Sequence, residues 1–392
     1  MVSHTFPSIR SLLLIAGILL IAANLRAPVT AVAPLLTDIQ AHFRLSTASA
    51  GLLTTLPLLV FAATSSFSAQ LSGRLGLERT LFCGLCLIAA GVIARSAGGV
   101  EWLFAGTIVS AIGIALGNVL LPGLVKREFP GHLAMLTSIY ALIMGAVAAL
   151  SSGIAVPLAQ HSHWRVALAS TALVAVISLL VWLPQLRGRP GQALPGARAG
   201  VGRIAIWRYA LAWQVTLFFG LNSFVYYVMI SWLPAILHDN GYSAAEAGRL
   251  HGLMQLASAL AGLLVIALVR YGRDQRGAAL LTVALASAGL LGLLLSPQWA
   301  TLWTLLFGLG NGAVFILAIS FVGLRANSPS QAAALSAMAQ GLGYLLAALG
   351  PTLTGYLHDL AGSWLPILVT CLTIYLGIGA AGILAGRSRT IG

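Results

Sequence analysis

Carboxylates are scarce in this chain: eight Asp and Glu among 392 residues, with charged residues of all kinds at 7%. A soluble domain carries about 25% charged residues, so an aqueous globular fold is excluded. All eight acids, Asp38, Glu78, Glu101, Glu128, Asp239, Glu246, Asp274 and Asp359, fall between apolar runs or at their ends. None is therefore available as a titratable group deep in an apolar run. Cysteine is scarce too, at three residues. Cys83-Gly84-Leu85-Cys86 imitates a redox or zinc pair but lies inside an apolar run with no second pair, so packing is the better reading. No nucleophile–base pair or metal-ligand cluster stands out, so enzyme chemistry, a metal and a cofactor are not expected.

Apolar sequence dominates instead, with a hydrophobic fraction of 59%. A membrane-spanning helix needs about 20 mainly apolar residues, and twelve such runs can be marked. They include span 1 at Ser11–Leu36, span 4 at Trp102–Val125, span 7 at Tyr209–Leu237 and span 8 at Ala247–Val269. Span 10 is Trp299–Leu324 and span 11 is Gln331–Leu357. The expected fold class is an all-α membrane protein. Arg10, the apolar run and Ala31-Val32-Ala33 imitate a secretory signal, but the run is too long and Arg26 interrupts it.

Basic residues orient the chain. With the N-terminus inside, sixteen of the 21 fall on the cytoplasmic side. Only Arg44, Arg95, Arg165 and Arg249 are expected outside, with Arg26 in the membrane. This is the bias of the positive-inside rule, and an even number of spans returns the C-terminus to the cytoplasm. The net charge of +13 is thereby explained by topology, because no contiguous basic face for nucleic acid exists.

One segment reads as a linker: Gln185–Trp207, rich in Gly, Pro and Arg and lacking apolar period. It separates an N-terminal six-helix half (1–184) from a C-terminal one (208–392). Landmarks recur across it. Asn24 precedes Asn222 by 198 residues, Leu116-Gly117-Asn118 precedes Leu309-Gly310-Asn311 by 193, Pro157 precedes Pro351 by 194, and Trp164 precedes Trp364 by 200. Two parallel, pseudo-symmetric six-helix halves with a binding site between them near the midplane resemble the major facilitator architecture.

That resemblance implies that spans 1, 4, 7 and 10 line the central path, and the polar outliers fall on them: Asn24 and Arg26, Asn118, Asn222 with Tyr226 and Tyr227, and Asn311. Amides in a bilayer also tie helices together, yet one on each of four expected helices favours the path. Asn222 and Tyr226 are four residues apart and share a face, as do Gln340 and Tyr344 in span 11 and His251 and Gln255 in span 8. Tyr offers a flat ring with a hydroxyl, suited to a small planar solute. Arg26 is the sharpest signal. A guanidinium in the bilayer costs from roughly 3 to 10 kcal/mol and cannot deprotonate, so it must face a cavity or a partner. Asn24 and Arg26 face apart on an ideal helix, but Pro28 can kink it there; if only one reaches the path, Arg26 is the choice. Glycine pairs such as Gly341 and Gly343 follow no strand, so a nucleotide loop fails its own test.

Longer stretches carry a narrower resemblance. NLRAP at 24–28, GLLTTLPLL at 51–59, GNVLLPGLVKR at 117–127, FFGLNSFVYY at 218–227, LHGLMQLA at 250–257, DQRG at 274–277 and AQGLGYLLAA at 339–348 resemble the cyanate/2-nitroimidazole branch of that superfamily, nearer its nitroimidazole side. The resemblance implies a secondary active transporter of the bacterial inner membrane, acting as a monomer on a small anion or planar polar solute by alternating access. Arg26 would anchor the ligand. A proton-coupled multidrug exporter and a passive channel or sensor are the alternatives, with His251 as the candidate for coupling or gating. The loop signature of the superfamily is degenerate here, as Gly73-Arg74-Leu75-Gly76-Leu77-Glu78-Arg79, without its Asp. Asp274, with Arg273 and Arg276, is expected to supply a latch in the second half.

Overall fold

A computed structural model describes residues 9–187, 206–271 and 274–391. Residues 188–205 of the expected linker, and Arg273 of the expected latch, lie outside them. Twelve long helical units run back and forth. They are α1 (Ile9–Asn24), α2 (Thr47–Leu75), α3 (Leu77–Ala97), α4 (Val100–Glu128) and α5 (Leu133–His161), followed by α6 in two pieces, Trp164–Ser170 and Ala172–Trp182. The second set is α7 (Ala210–Asp239), α8 (Ala244–Tyr271), α9 (Arg276–Leu295), α10 (Ala300–Leu324), α11 (Pro329–Ala361) and α12 (Leu365–Ala385). Eleven spans meet the length and apolarity that a bilayer requires, α1 being counted with its continuation to Phe43; α11 is the remaining long helix. Outward-facing Leu263, Ile266 and Leu376 are exposed, as a lipid-facing surface demands.

Local chemistry fixes the ends. The Ser46 hydroxyl caps α2 by accepting from the Ser49 amide at 3.1 Å, and Ser328 caps α11 with Pro329 in its first turn. Gly362, at φ 65°, closes α11 in the left-handed region where glycine is at ease. Span 1 does not continue straight. It stops at Asn24, resumes as Ala27–Thr30 and Ala33–Leu35, and ends as Leu36–Phe43. Pro28 cannot donate to the helical ladder, and the Leu25 and Arg26 amides turn back to Ala22 and Ala23 at 3.1 and 3.3 Å.

The first six helices pack chiefly among themselves, α3 with α4 and α1 with α6, and so do the last six, α9 with α10 and α7 with α11. The internal repeat is visible in the packing. Gly91 abuts the backbone at Ser110, and 198 residues later Gly289 abuts the backbone at Phe307.

The halves meet along two seams, α2 with α11 and α5 with α8. Their bonds cluster at the end of the molecule bearing Arg44. Asp359 accepts from the Thr47 and Ala48 amides at 3.1 and 3.0 Å, so a carboxylate from one half sits on the first turn of a helix in the other. Thr55 donates to the Ala348 carbonyl at 2.8 Å, Ser231 to Thr54 at 2.9 Å, and Ser152 to the Gly248 carbonyl at 3.0 Å. Backbones come close enough that a Cβ on Gly252 would lie 2.6 Å from the Ala149 carbonyl oxygen. At the opposite end an open groove of about 900 Å³ is lined by Pro122, Lys126, Thr137 and Ser138, among others. The bonds between the halves therefore gather at one end, while the groove at the other end lies between α4 and α5 of the first half.

Gly252→Leu is expected to wedge this seam apart. Thiol modification of Thr55→Cys, with Cys83, Cys86 and Cys371 replaced, should rise several-fold in that variant; an unchanged rate would mean the seam tolerates the larger side chain.

Candidate ligand site

The break in span 1 determines where two neighbouring polar side chains go. Asn24, the last residue of α1, is fully buried and turned toward α6. Its amide donates to the Leu20 carbonyl at 2.8 Å, to Ser178 Oγ at 2.7 Å and to the Val174 carbonyl at 3.3 Å. It is a tie between α1 and α6, away from the path for which the sequence suggested it. Arg26, two residues on, begins the resumed helix with φ −120° and ψ −43° and points the other way. Its guanidinium faces Tyr226, Tyr227 and Tyr344, all three close enough to feel its charge. All four side chains keep intermediate accessible surface although they sit deep in the bundle. Both conditions hold only for groups that line an internal opening.

The surrounding groups are aromatic and polar. Tyr226 and Tyr227 meet edge to face at 5.2 Å between centroids, and Tyr344 meets Phe219 likewise at 5.4 Å. The Tyr226 hydroxyl donates to Gln255 Oε1 at 3.0 Å. Gln255 is 4% exposed, and its Nε2 is buried without a partner. Tyr226 thus stands between the Arg26 guanidinium and Gln255, whose Nε2 keeps a free N–H. Such a set suits a ligand rich in acceptors.

The other amides divide. Asn222 and Asn311 are buried in a cluster with Tyr375: Asn311 Nδ2 donates to Asn222 Oδ1 and to the Tyr375 hydroxyl, each at 2.9 Å. They join α7, α10 and α12 inside one half and leave the path, contrary to the sequence expectation. Paired amides satisfy each other, which in an apolar bundle is more favourable than leaving either unpaired. Asn118 is exposed, on the face of α4 that continues, four and eight residues on, to Pro122 and Lys126 in the open groove. Gln340 is half-buried and donates to Ser336 at 2.7 Å, one helical turn away. It shares a face with Tyr344, but no bond joins it to Arg26.

His251 is fully buried in the α5–α8 seam, with Nδ1 2.7 Å from Ser152 Oγ and Nε2 without a partner. It thus belongs to the closed seam rather than to the opening. Asp274 accepts from the Arg276 amide and pairs with Arg276 Nε, each at 3.2 Å, so among the described residues these bonds stay within the second half. At the corresponding place in the first half Glu78, 196 residues earlier, pairs with Arg127, which also pairs with Glu128. No group of three or more His, Cys, Asp or Glu among the described residues could hold a metal ion.

Two residues were not singled out for the site by sequence. Gln255 was noticed only as the i,i+4 partner of His251, and its bond to Tyr226 could not be read from one helix. Arg95 was assigned to the outside by its place near the end of span 3; it is instead 2% exposed and donates to the Pro28 carbonyl at 2.8 Å.

Asn311→Ala would strand the Asn222 and Tyr375 groups and should cost about 1–3 kcal/mol of stability. Thermal melting should register this loss while ligand affinity per folded molecule stays unchanged. Weakened affinity with unchanged melting would return the pair to the ligand path.

Comparison with known proteins agrees with this geometry. Residues 12–351 match the family model described as Major Facilitator Superfamily. The chain is 51% identical over 381 residues to the 2-nitroimidazole transporter of Escherichia coli K12, covering 97% of each. It is 29% identical to the cyanate transport protein CynX of the same organism, covering 89% of this chain and 90% of that one. Among solved structures, an inward-facing, occupied bacterial homolog of the human lysosomal transporter Spinster superposes with a TM-score of 0.76 at 16% identity, covering 96% of each chain. With its two six-helix halves and this match along most of its length, the chain belongs to the major facilitator superfamily of membrane transporters.

Proposed function

We propose that this transporter moves a small anion or a small planar polar solute by alternating access, with Arg26 as the ligand anchor. The carrying observation is a guanidinium at the break of span 1, facing an internal opening and ringed by Tyr226, Tyr227 and Tyr344. None of the groups acting on it is a carboxylate. A permanent charge with spare donors and no resident counter-ion suits oxygen or nitrogen acceptors carrying negative charge or a strong dipole. The tyrosine rings suit a flat ligand. The names of the two E. coli relatives, a 2-nitroimidazole transporter and a cyanate transport protein, fit that description.

In this reading 1–184 and 208–392 are the two moving halves, and Gln185–Trp207 joins them on the cytoplasmic side with both termini. The burial of Arg95 strengthens the orientation argument, because it removes one of the four basic residues assigned to the outside. The closed Arg44 end then faces out of the cell, and the groove beside Lys126 opens to the cytoplasm. Labelling of Arg198→Cys in intact cells tests this: an impermeant thiol reagent outside should leave it unmodified, and modification from outside would invert the topology.

Affinity of the purified protein for 2-nitroimidazole and for cyanate tests the anchor. Arg26→Gln should lose roughly tenfold to a hundredfold, as expected when a charged hydrogen bond of about 1.5–3 kcal/mol is removed. If charge dominates, Arg26→Lys should retain more binding than Gln; if fork geometry dominates, both should fail. Tyr226→Ala should weaken binding more than an equal truncation on the lipid side of α7. Affinity unchanged in folded Arg26→Gln would reduce Arg26 to a brace of span 1. His251, bonded across the seam to Ser152, is the proposed link between closure and a proton. A His251→Gln variant that still accumulates substrate with an unaltered pH profile would remove that role.

A further inference from the structure

We propose that Arg95 is a positioning residue for the ligand site: it fixes the break in span 1 and thereby the direction in which Arg26 points. The inference rests on the reading of Arg26 as anchor.

The Pro28 carbonyl is among those that the break leaves without a helical partner. In a regular helix the Pro28 carbonyl would accept from the Val32 amide, four residues on. Here the Val32 amide bonds instead to the Val29 carbonyl at 3.3 Å. Arg95, reaching across from α3, supplies the missing donor, with Nη1 2.8 Å from the Pro28 oxygen. The resumed turn is tied to Arg26 in its own right, because the Arg26 carbonyl accepts from the Val29 and Thr30 amides, each at 3.0 Å, and from the Thr30 hydroxyl at 3.1 Å. Holding Pro28 therefore holds the backbone of Arg26 against the frame formed by α3.

The rest of the guanidinium argues against a role in charge pairing. Arg95 is 2% exposed, and no carboxylate acts on it. Nε and Nη2 are buried without a partner in the protein. Arg95 lines a small, partly open space of about 10 Å³ together with Pro28, Val32, Thr107 and Ser110, among others. That is room for about one water molecule. The Thr107 and Ser110 hydroxyls donate to the Leu103 and Thr107 carbonyls at 2.7 and 3.0 Å, so they offer only lone pairs to this space. A water that accepts from Arg95 and donates to one of these oxygens satisfies every group, whereas an anion would find only the guanidinium. Arg95 is thus a fork of donors spent on a bend: one tine is on the Pro28 carbonyl, and the small space beside it has room for about one water to serve the others.

A double-mutant cycle on the purified full-length protein tests this, with 2-nitroimidazole as the probe. Arg95→Met, similar in length but without donors, should weaken binding about tenfold, and Arg95→Lys should recover part of the loss. In an Arg26→Gln background, Arg95→Met should change affinity no further, because its effect passes through Arg26. Additive losses would mean that Arg95 acts on binding independently of Arg26 and would overturn the inference. Weak binding by Arg26→Gln beside normal binding by Arg95→Met would overturn only this inference; normal binding by Arg26→Gln would overturn the anchor reading instead. Should Arg95→Met fail to fold, Arg95→Gln takes its place in the cycle. A second measurement needs no ligand: amide exchange at residues 29–32 should accelerate in the Arg95 variant, and exchange equal to wild type would overturn the positioning role outright.

Discussion

The site depends on one positive charge that cannot be neutralised. Acids and histidines buried in a low-dielectric bundle can shed their charge, but arginine cannot. The chain must therefore surround Arg26 with dipoles, water or ligand. Three tyrosines supply dipoles, and the opening they border admits solvent. The break in span 1 is part of the same arrangement. On a straight helix Asn24 and Arg26 would be fixed about 200° apart by the helical period; the interruption lets one serve the α1–α6 interface while the other reaches the opening.

Intramembrane polarity is used in two distinct ways. Asn24 with Ser178, and Asn222 with Asn311 and Tyr375, close on themselves within a half. Their amide donors are consumed in holding helices together, although Asn24 Oδ1 is left without a partner. Arg26 and Gln255 each keep donors without a protein acceptor. The distinction between spent and spare donors separates scaffold from site more sharply than position in the bundle does.

That distinction explains how far the sequence could be read. The twelve spans, the repeat across the linker and the isolation of Arg26 are properties of composition and spacing, and a linear chain displays them. Pro28 gave away the kink for the same reason. Which face of an apolar helix looks inward is harder to read, because a helix such as α10, apolar all round, has no polar face to compare with a buried one. Asn311 and Asn222 therefore looked like path residues by their place in the repeat, although they face each other. Arg95 counts in the sequence only as a charge on the expected outer side, because its place near a helix end does not reveal what that end packs against. Here the end of α3 lies against the bend of span 1, and only the third dimension shows the Pro28 carbonyl waiting there.

The seam at the Arg44 end has an energetic consequence of its own. It is made largely from backbone and small side chains: glycines against carbonyls, threonine hydroxyls and one carboxylate on helix amides. Those close contacts give up few rotamers, because Gly and Ala have none to lose, and they lie beside buried apolar side chains such as Leu53, Val156 and Leu250 that share one core. Parting them exposes groups that water can serve about as well. Under the proposed alternating access, closed and open forms would lie within a few kcal/mol of each other, where a ligand of ordinary affinity can tip the balance. A seam of interlocked leucines would hold harder and turn over more slowly; this one is shallow enough to be cycled.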